Sequence, residues 1–238
     1  ARQAQNFTDF ADIERVEVLR GPQGTLFGKN ATAGVISVVT ARPSRELEGR
    51  VSVTVAEMDE YRASGTISGP VGDTMGVRLT GYYNDIGGNI RNVLTGDDAN
   101  RTKSWGVRGK LEWQPTDRLT LLFAGDYRTS DSNCCQSVLV KVGNPLRTLV
   151  SGPITVRADS DEIWNNDTTR VKSDQQTYSL QADLDLGAAT LTSITALQKY
   201  HLRQNGEVDA FGHAPPIFIS PASAAQFHVN AANTHIKN

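Results

Sequence analysis

Apolar and polar residues alternate through most of the chain after residue 49, and this two-residue period constrains the fold more than any other feature. The alternation is clear in six segments: residues 51–55, 61–68, 77–84, 105–113, 119–128 and 178–186. A period of two predicts β-strands with one apolar face and one polar face. Residues 190–200 also resemble a strand, but the pattern leaves the orientation of its two faces open. We therefore expect a mainly β protein with about seven strands in this region.

The connections between these predicted strands alternate in length. They are short at residues 70–73, 114–117 and 187–188, and long near 87–103 and 130–175. Since alternate connections of an up-and-down sheet lie at opposite ends, one end has tight turns and the other has long loops. Outer-membrane barrels have this layout. A soluble β-sandwich also alternates apolar and polar residues, so it is the alternative hypothesis.

Two features favour the membrane barrel over the sandwich. The polar faces of three central strands carry many charges, which suits a water-filled lumen: Arg108, Lys110, Glu112, Asp126, Arg128, Asp183 and Asp185. Trp105 and Trp113 lie on the apolar face of a single strand, eight residues apart. At ~3.3 Å per residue they are separated by about 26 Å, close to the ~25 Å apolar band between the aromatic girdles of such barrels.

The composition excludes several other classes of protein. No run approaches 18 consecutive apolar residues, so the sequence has no transmembrane helix. The formal net charge is −2, with 24 basic and 26 acidic residues, which does not fit a polybasic nucleic-acid binder. We expect no nucleic-acid partner.

No group of residues predicts catalysis, a cofactor or a metal site. The stretch Gly24–Lys29 differs from a phosphate-binding loop, because Gln23 lies five positions before Gly28 and Asn30 follows the lysine. The four histidines lack metal-ligand spacing. The acidic run at 159–162 lacks the glycine and spacing of a calcium loop. The chain is therefore not expected to be an enzyme.

Cys134 and Cys135 are adjacent within the long loop near 130–175. Their neighbours supply no activating histidine or positive charge, which argues against a catalytic thiol. A disulfide from one of them to another cysteine and two free thiols both remain open. The sequence does not decide between them.

The segment IERVEVLRGPQGTLFGKNATAGVISVVT, residues 13–40, has two strand-like ends around a glycine-punctuated loop. It resembles the end of the plug domain of TonB-dependent outer-membrane receptors. Its order of motifs is specific: EVLRGP, a glycine, FG, then GVISVVT. The rest of the chain is similar to the first barrel strands of the same receptors.

This resemblance implies the C-terminal part of a plug domain over residues 1–43 and an incomplete antiparallel barrel over residues 44–238. It implies TonB-dependent import of a scarce nutrient, such as a ferric siderophore, across the bacterial outer membrane. The implied partners are outer-membrane lipid, the nutrient and the TonB complex. At about 28 residues per strand, 22 strands need roughly 610 residues. We therefore expect most of the barrel, and the plug segment that contacts TonB, to lie outside this sequence. A soluble ligand- or carbohydrate-binding β-module is the alternative function.

The resemblance also assigns roles to individual residues. Arg20, Gly21 and Pro22 match the plug motif whose arginine pairs with barrel glutamates, and a buried Arg20 would need a carboxylate partner. Four residues match the plug apex that faces the ligand: Phe27, Gly28, Lys29 and Asn30. Related siderophore receptors often have tyrosine at the position of Phe27, which lacks the hydroxyl and offers stacking or apolar contact instead.

Overall fold

The computed structural model is nearly all β. It describes residues 11–27, 31–57, 59–133, 136, 138–141, 153–165 and 169–205. Cys134 and Cys135 lie outside these ranges, and so do Gly28, Lys29 and Asn30. None of the helices in the described ranges is long and apolar enough to cross a membrane.

The chain begins with an antiparallel hairpin. Its elements are β1 (Ile13–Arg20), the single helical turn α1 (Gly24–Phe27) and β2 (Gly34–Thr40). The pairing runs from Ile13 opposite Thr40 to Arg20 opposite Gly34. Gly34 has a φ of 148°, and a Cβ there would lie 2.6 Å from the carbonyl oxygen of Leu19. Only glycine allows the two strands to approach so closely at this point. Both predicted strands are confirmed, and we call residues 13–40 the N-terminal hairpin.

Ten further strands follow. They are β3 (Glu48–Ala56), β4 (Glu60–Val71), β5 (Met75–Ile86), β6 (Ile90–Asn92), β7 (Asp98–Ala99), β8 (Thr102–Thr116), β9 (Leu119–Ser132), β10 (Glu162–Ile163), β11 (Arg170–Asp185) and β12 (Thr190–Asn205). Seven of them form one large antiparallel sheet in the order β12-β11-β9-β8-β5-β4-β3. Because β3 and β12 are its edges, the sheet is open in the described residues. The prediction of a partial seven-strand barrel is confirmed.

The two ends of the large sheet differ as predicted. The connections β4–β5, β8–β9 and β11–β12 are short and lie at one end, which we call the short-turn end. The long connections β5–β8 and β9–β11 lie at the other, the long-loop end. There β6 pairs with β7 and with β10. Ile90, Ala99 and Ile163, one from each of these three strands, form a small buried cluster.

Apolar side chains cover one face of the large sheet and stay exposed. Val51 is 82% exposed, Leu79 59% and Leu197 57%. The polar side chains on the opposite face meet the N-terminal hairpin, so we call that the inner face and the apolar one the outer face. A soluble sandwich would bury its apolar face against a second sheet. Here the large sheet presents that face outward, as a sheet in contact with lipid does.

The pairing of β12 settles the orientation that its sequence left open. Tyr178 of β11 lies opposite Leu197, and Leu184 lies opposite Leu191. Directly opposed residues of an antiparallel pair share a face. Leu191 and Leu197 therefore lie on the outer face with Tyr178, while Ile194, opposite Gln181, lies on the inner face.

Candidate functional site

The hairpin meets the inner face of the large sheet through polar contacts. Three cations of the sheet bind residues at the open end of the hairpin and beside it: Arg78 of β5, and Arg108 and Lys110 of β8. They share one face because they occupy alternate, paired positions: Arg78 lies opposite Lys110, and Thr80 lies opposite Arg108. We call this contact region the junction.

Asp12 is the centre of the junction. Nε and Nη2 of Arg78 donate to its Oδ2 and Oδ1 at 2.7 and 2.5 Å, and the Thr80 hydroxyl donates to Oδ2 at 2.9 Å. The Arg78 Nη1 donates to Glu48 at 2.7 Å. The Asp12 and Arg78 side chains are only 7% and 12% exposed. A paired arrangement of this kind combines two charge-assisted hydrogen bonds with a fixed geometry.

Both the backbone conformation of Asp12 and its surroundings suit an ionised carboxylate that binds Arg78. Its φ is 60°, in the left-handed region that aspartate tolerates better than most residues. Burial by itself would raise the pKa of the Asp12 carboxyl. Hydrogen bonds from Arg78 and Thr80, with the positive charges of Arg78 and Lys110, outweigh burial and hold that pKa below its usual value of 3.8. Asp12 is therefore ionised at neutral pH.

Lys110 holds the other strand of the hairpin. Its Nζ donates to the carbonyl oxygen of Thr40 at 2.8 Å, to the Thr40 hydroxyl at 2.6 Å and to the carbonyl oxygen of Ala41 at 2.7 Å. These three bonds use all the donors of the ammonium group. Next to it, Arg108 donates to the carbonyl oxygen of Ala11 at 3.1 Å and to Asp126 at 3.1 Å. The large sheet thus binds the backbone just before β1 and at the end of β2.

The linker between β2 and β3 is attached to the same region. Arg42 lies 3.4 Å from Glu112, and the backbone N–H of Ser44 donates to the Ser68 hydroxyl at 2.8 Å. Ser68 is 1% exposed, and its hydroxyl donates a hydrogen bond to the carbonyl oxygen of Val77. The predicted domain boundary between residues 43 and 44 falls in this linker and stays a prediction.

The residues predicted as the lock between plug and barrel lie at the far end of the hairpin. Gly21, with a φ of 84°, begins the turn after β1, and its N–H donates to Ala33. Pro22 follows it. The Arg20 side chain is exposed, and no carboxylate of the described residues forms an ion pair with it. The role assigned to Arg20 by resemblance stays a prediction. Phe27 is 48% exposed at the end of α1, and its proposed ligand contact is likewise untested.

The sequence analysis predicted contacts at the far end of the hairpin, and those stay a prediction, whereas the contacts that the structure shows lie at the near end. Asp12 was not identified, because it lies in a segment that also carries Asp9, Glu14 and Glu17, and the local sequence does not set it apart from them. Arg108 and Lys110 were placed correctly on the lumen-facing side.

The junction is suited to holding the hairpin in place. Within the described ranges its contacts are hydrogen bonds and ion pairs of buried or half-buried groups, and no three His, Cys, Asp or Glu side chains are grouped to hold a metal ion. Polar contacts can separate and re-form without exposing a large apolar surface to water. The geometry thus permits stable docking and also rearrangement.

Comparison with known proteins identifies the hairpin and the sheet together. Residues 1–35 match the model of the TonB-dependent receptor plug domain. The pesticin receptor of Yersinia pestis is 38% identical over 111 residues, which are 45% of this chain and 16% of the receptor. The ferric enterobactin receptor PirA of Pseudomonas aeruginosa is 24% identical over 242 residues, covering 88% of this chain and 32% of that protein.

The fold agrees with these similarities. The crystal structure of the ferric yersiniabactin uptake receptor FyuA from Yersinia pestis superposes with a TM-score of 0.69 at 26% identity. The match covers 82% of this chain and 29% of that receptor. The chain thus spans less than a third of the length of these relatives, which are outer-membrane transport receptors and not enzymes. The chain is therefore similar, both in its docked plug-type hairpin and in its open antiparallel sheet, to the TonB-dependent receptors of the bacterial outer membrane.

Proposed function

We propose that the chain is the part of a receptor that joins plug to barrel, and that the whole receptor imports a ferric siderophore with energy from the TonB complex. The observation that carries this proposal is the junction. A plug-type hairpin is held by Asp12, Thr40 and Ala41 on the polar face of a sheet whose other face is apolar and exposed.

The ligand class is proposed from the relatives. The printed names of the similar proteins include a ferric enterobactin receptor and a ferric yersiniabactin uptake receptor. Both names describe iron bound to a small chelator. The apex residue Phe27 is half exposed, so an apolar or stacking contact with such a ligand fits its position.

The junction suggests how the plug moves. It lies at the short-turn end, where the chain passes from hairpin to sheet, and it fixes both hairpin strands. We expect it to remain attached as an anchor while more distant parts of the plug are displaced. Arg20 at the opposite end, with its exposed side chain, is the proposed contact to a barrel carboxylate outside the described residues.

Iron uptake by cells tests the proposal. A deletion strain complemented with the full receptor should take up radiolabelled iron presented by one member of a siderophore panel. The same uptake should be lost in a strain without TonB. Uptake equal to that of the deletion strain for every siderophore in the panel would contradict the ligand class.

A Phe27→Ala variant narrows the test to the apex. It should lower uptake, while Val18→Ala, which is also an exposed apolar position of the hairpin, should leave it unchanged. Equal effects would remove Phe27 from the ligand site.

A further inference from the structure

Three asparagine side chains join the two long connections at the long-loop end. Asn92 and Asn100 belong to the connection β5–β8, and Asn133 directly follows β9. An asparagine amide carries an acceptor and two donors side by side, as the backbone of a paired strand does. It can therefore accept a hydrogen bond from one backbone N–H group of another segment and donate to a nearby backbone carbonyl. Each of these three asparagines makes that pairing.

The Asn92 amide extends the pairing of β6 with β10. Two backbone hydrogen bonds of 2.7 and 2.9 Å join the two segments. Beyond them, Nδ2 of Asn92 donates to the carbonyl oxygen of Asn165 at 2.9 Å, and Oδ1 of Asn92 accepts from the N–H of Asn165 at 3.3 Å. Asn92 is 1% exposed and Asn165 is 5% exposed. Because water does not reach these groups, loss of the Asn92 amide would remove two hydrogen bonds that solvent cannot replace.

The other two asparagines make the same kind of pairing. Oδ1 of Asn100 accepts from the N–H of Gln136 at 3.0 Å, and Nδ2 of Asn100 donates to the carbonyl oxygen of Gln136 at 3.3 Å. Oδ1 of Asn133 accepts from the N–H of Arg101 at 2.6 Å, and Nδ2 of Asn133 donates to the carbonyl oxygen of Asp98 at 2.7 Å. Since Asn133 adjoins β9, this last pairing also attaches the first connection to the rim of the large sheet.

Side-chain packing adds to the three backbone pairings. Nδ2 of Asn165 donates to Oε1 of Gln136 at 2.9 Å. Ile163 packs in one buried cluster with Ile90 and Ala99 of the other connection. Separating the two connections would expose this apolar surface to water as well as break the hydrogen bonds. We call the joined residues the loop body: residues 87–101, Asn133, Gln136 and 161–165.

The contacts of the loop body are those of a fixed element. Segments that open and close have few buried contacts and low local stability. The loop body combines buried amides, backbone pairing and an apolar cluster. A binding surface that is already ordered spares the ligand the cost of ordering it.

We propose that Asn92, Asn100 and Asn133 are positioning residues, which hold the loop body as a preformed wall of the ligand entrance that does not close when the ligand binds. They act through the loop body and need not touch the ligand. The inference rests on the proposed function in one point, that the long-loop end faces the incoming ligand.

Distances between spin labels in the full receptor test this inference. Nitroxides are attached through unnatural amino acids at the exposed positions Leu94 and Asp159, one in each connection, and at Leu94 and Asp117, which spans from the loop body to the short-turn end. Pulsed electron paramagnetic resonance in detergent should give one narrow distance for each pair without any siderophore. Addition of the panel siderophore that supports uptake should leave both distances unchanged. A broad distribution in the wild type, or a shift of more than about 2 Å on addition of the siderophore, would overturn the inference.

Two variants assign the effect to the asparagines. Asn92→Ala should broaden the distance between Leu94 and Asp159, and Asn133→Ala should broaden the distance between Leu94 and Asp117. Asn89→Ala is the matched control, because its exposed side chain accepts a hydrogen bond only from Asn100 of the same connection among the described residues. Heat-modifiable migration in gels verifies that each variant is folded. Equal distributions in Asn92→Ala and Asn89→Ala would contradict the role of Asn92.

Uptake kinetics distinguish positioning from a general loss of structure. In Asn92→Ala the siderophore concentration for half-maximal uptake should rise about tenfold, since a buried pairing is lost. The maximal rate should stay unchanged, because the junction is intact. A lower maximal rate with an unchanged half-maximal concentration would refute positioning by Asn92.

The label distances without siderophore separate this inference from the proposed function. A receptor with a fixed loop body that imports no siderophore of the panel contradicts only the proposed function. A receptor that imports iron while its two long connections move independently refutes only the inference about the loop body.

Discussion

Replacing Asp12 by asparagine should loosen the N-terminal hairpin without unfolding the large sheet. The change keeps the size of the side chain but removes the charge that faces Arg78, whose side chain is 12% exposed. Breaking a buried ion pair from one side costs about 3–5 kcal/mol. Arg78 keeps its bond to Glu48, which is 54% exposed, so we expect a smaller cost of about 2 kcal/mol. The backbone ladders of the large sheet do not depend on Asp12.

Hydrogen exchange of the full receptor in detergent measures this loss. The β1–β2 amides should exchange about 30-fold faster in Asp12→Asn, since about 2 kcal/mol of local opening free energy corresponds to that factor. Glu17→Gln is the control, because Glu17 pairs with Arg15 while both side chains are 41–53% exposed. It should change exchange by no more than about twofold.

A double-mutant cycle shows whether the effect belongs to the pair. If Asp12 and Arg78 act together, Asp12→Asn combined with Arg78→Gln should be less destabilising than the sum of the single variants. Equal exchange in Asp12→Asn and Glu17→Gln, or strict additivity in the cycle, would refute the assignment of Asp12 as the centre of the junction.

Three further predictions follow from the same structure. Because the pKa of Asp12 is held below 3.8, its contribution to docking should be complete above about pH 5 and fall progressively at lower pH; hairpin exchange, corrected for its intrinsic pH dependence, should show this acid loosening in the wild type but not in Asp12→Asn. Leu79→Arg should destabilise the assembled barrel by about 2–4 kcal/mol, because Leu79 lies on the outer face opposite Gly109, midway between the two tryptophans. Ser179→Arg, at similar depth on the inner face, should assemble normally, as measured by heat-modifiable migration in gels. Gly34→Ala should speed exchange in β1–β2, since its Cβ would lie 2.6 Å from the carbonyl oxygen of Leu19; unchanged exchange would show that the hairpin shifts to make room.

The period-two pattern was enough to predict the strands of the large sheet, their faces and its unequal ends, but not β6, β7 and β10, which lie in the predicted long loops. This succeeded because each side chain of a strand points to the side opposite its neighbours, so the face of a residue follows from local sequence alone. Lys110 and Leu111, adjacent in the chain, were assigned to opposite faces in this way. Residues 190–200 were the exception, since apolar residues occur on both of their faces and only the pairing of Leu197 with Tyr178 decided the orientation.

The junction could not be predicted in the same way. Asp12 and Arg78 are 66 residues apart, and nothing near either residue indicates its partner. The resemblance assigned a role to Arg20, at the far end of the hairpin. A motif match transfers roles from related proteins, but it does not show which contacts form in this chain.

The sequence by itself determined the strand pattern, the apolar and polar faces of the large sheet and the resemblance to TonB-dependent receptors, since these depend on local alternation and on a continuous motif. Only the tertiary structure decided that Asp12 and Lys110 fasten the hairpin and that Asp85 and Asp131 each form ion pairs with two cations on the outer face. Both features depend on strand order and register, which bring distant residues within hydrogen-bond distance. A one-residue shift in register would move the same charges to the opposite face.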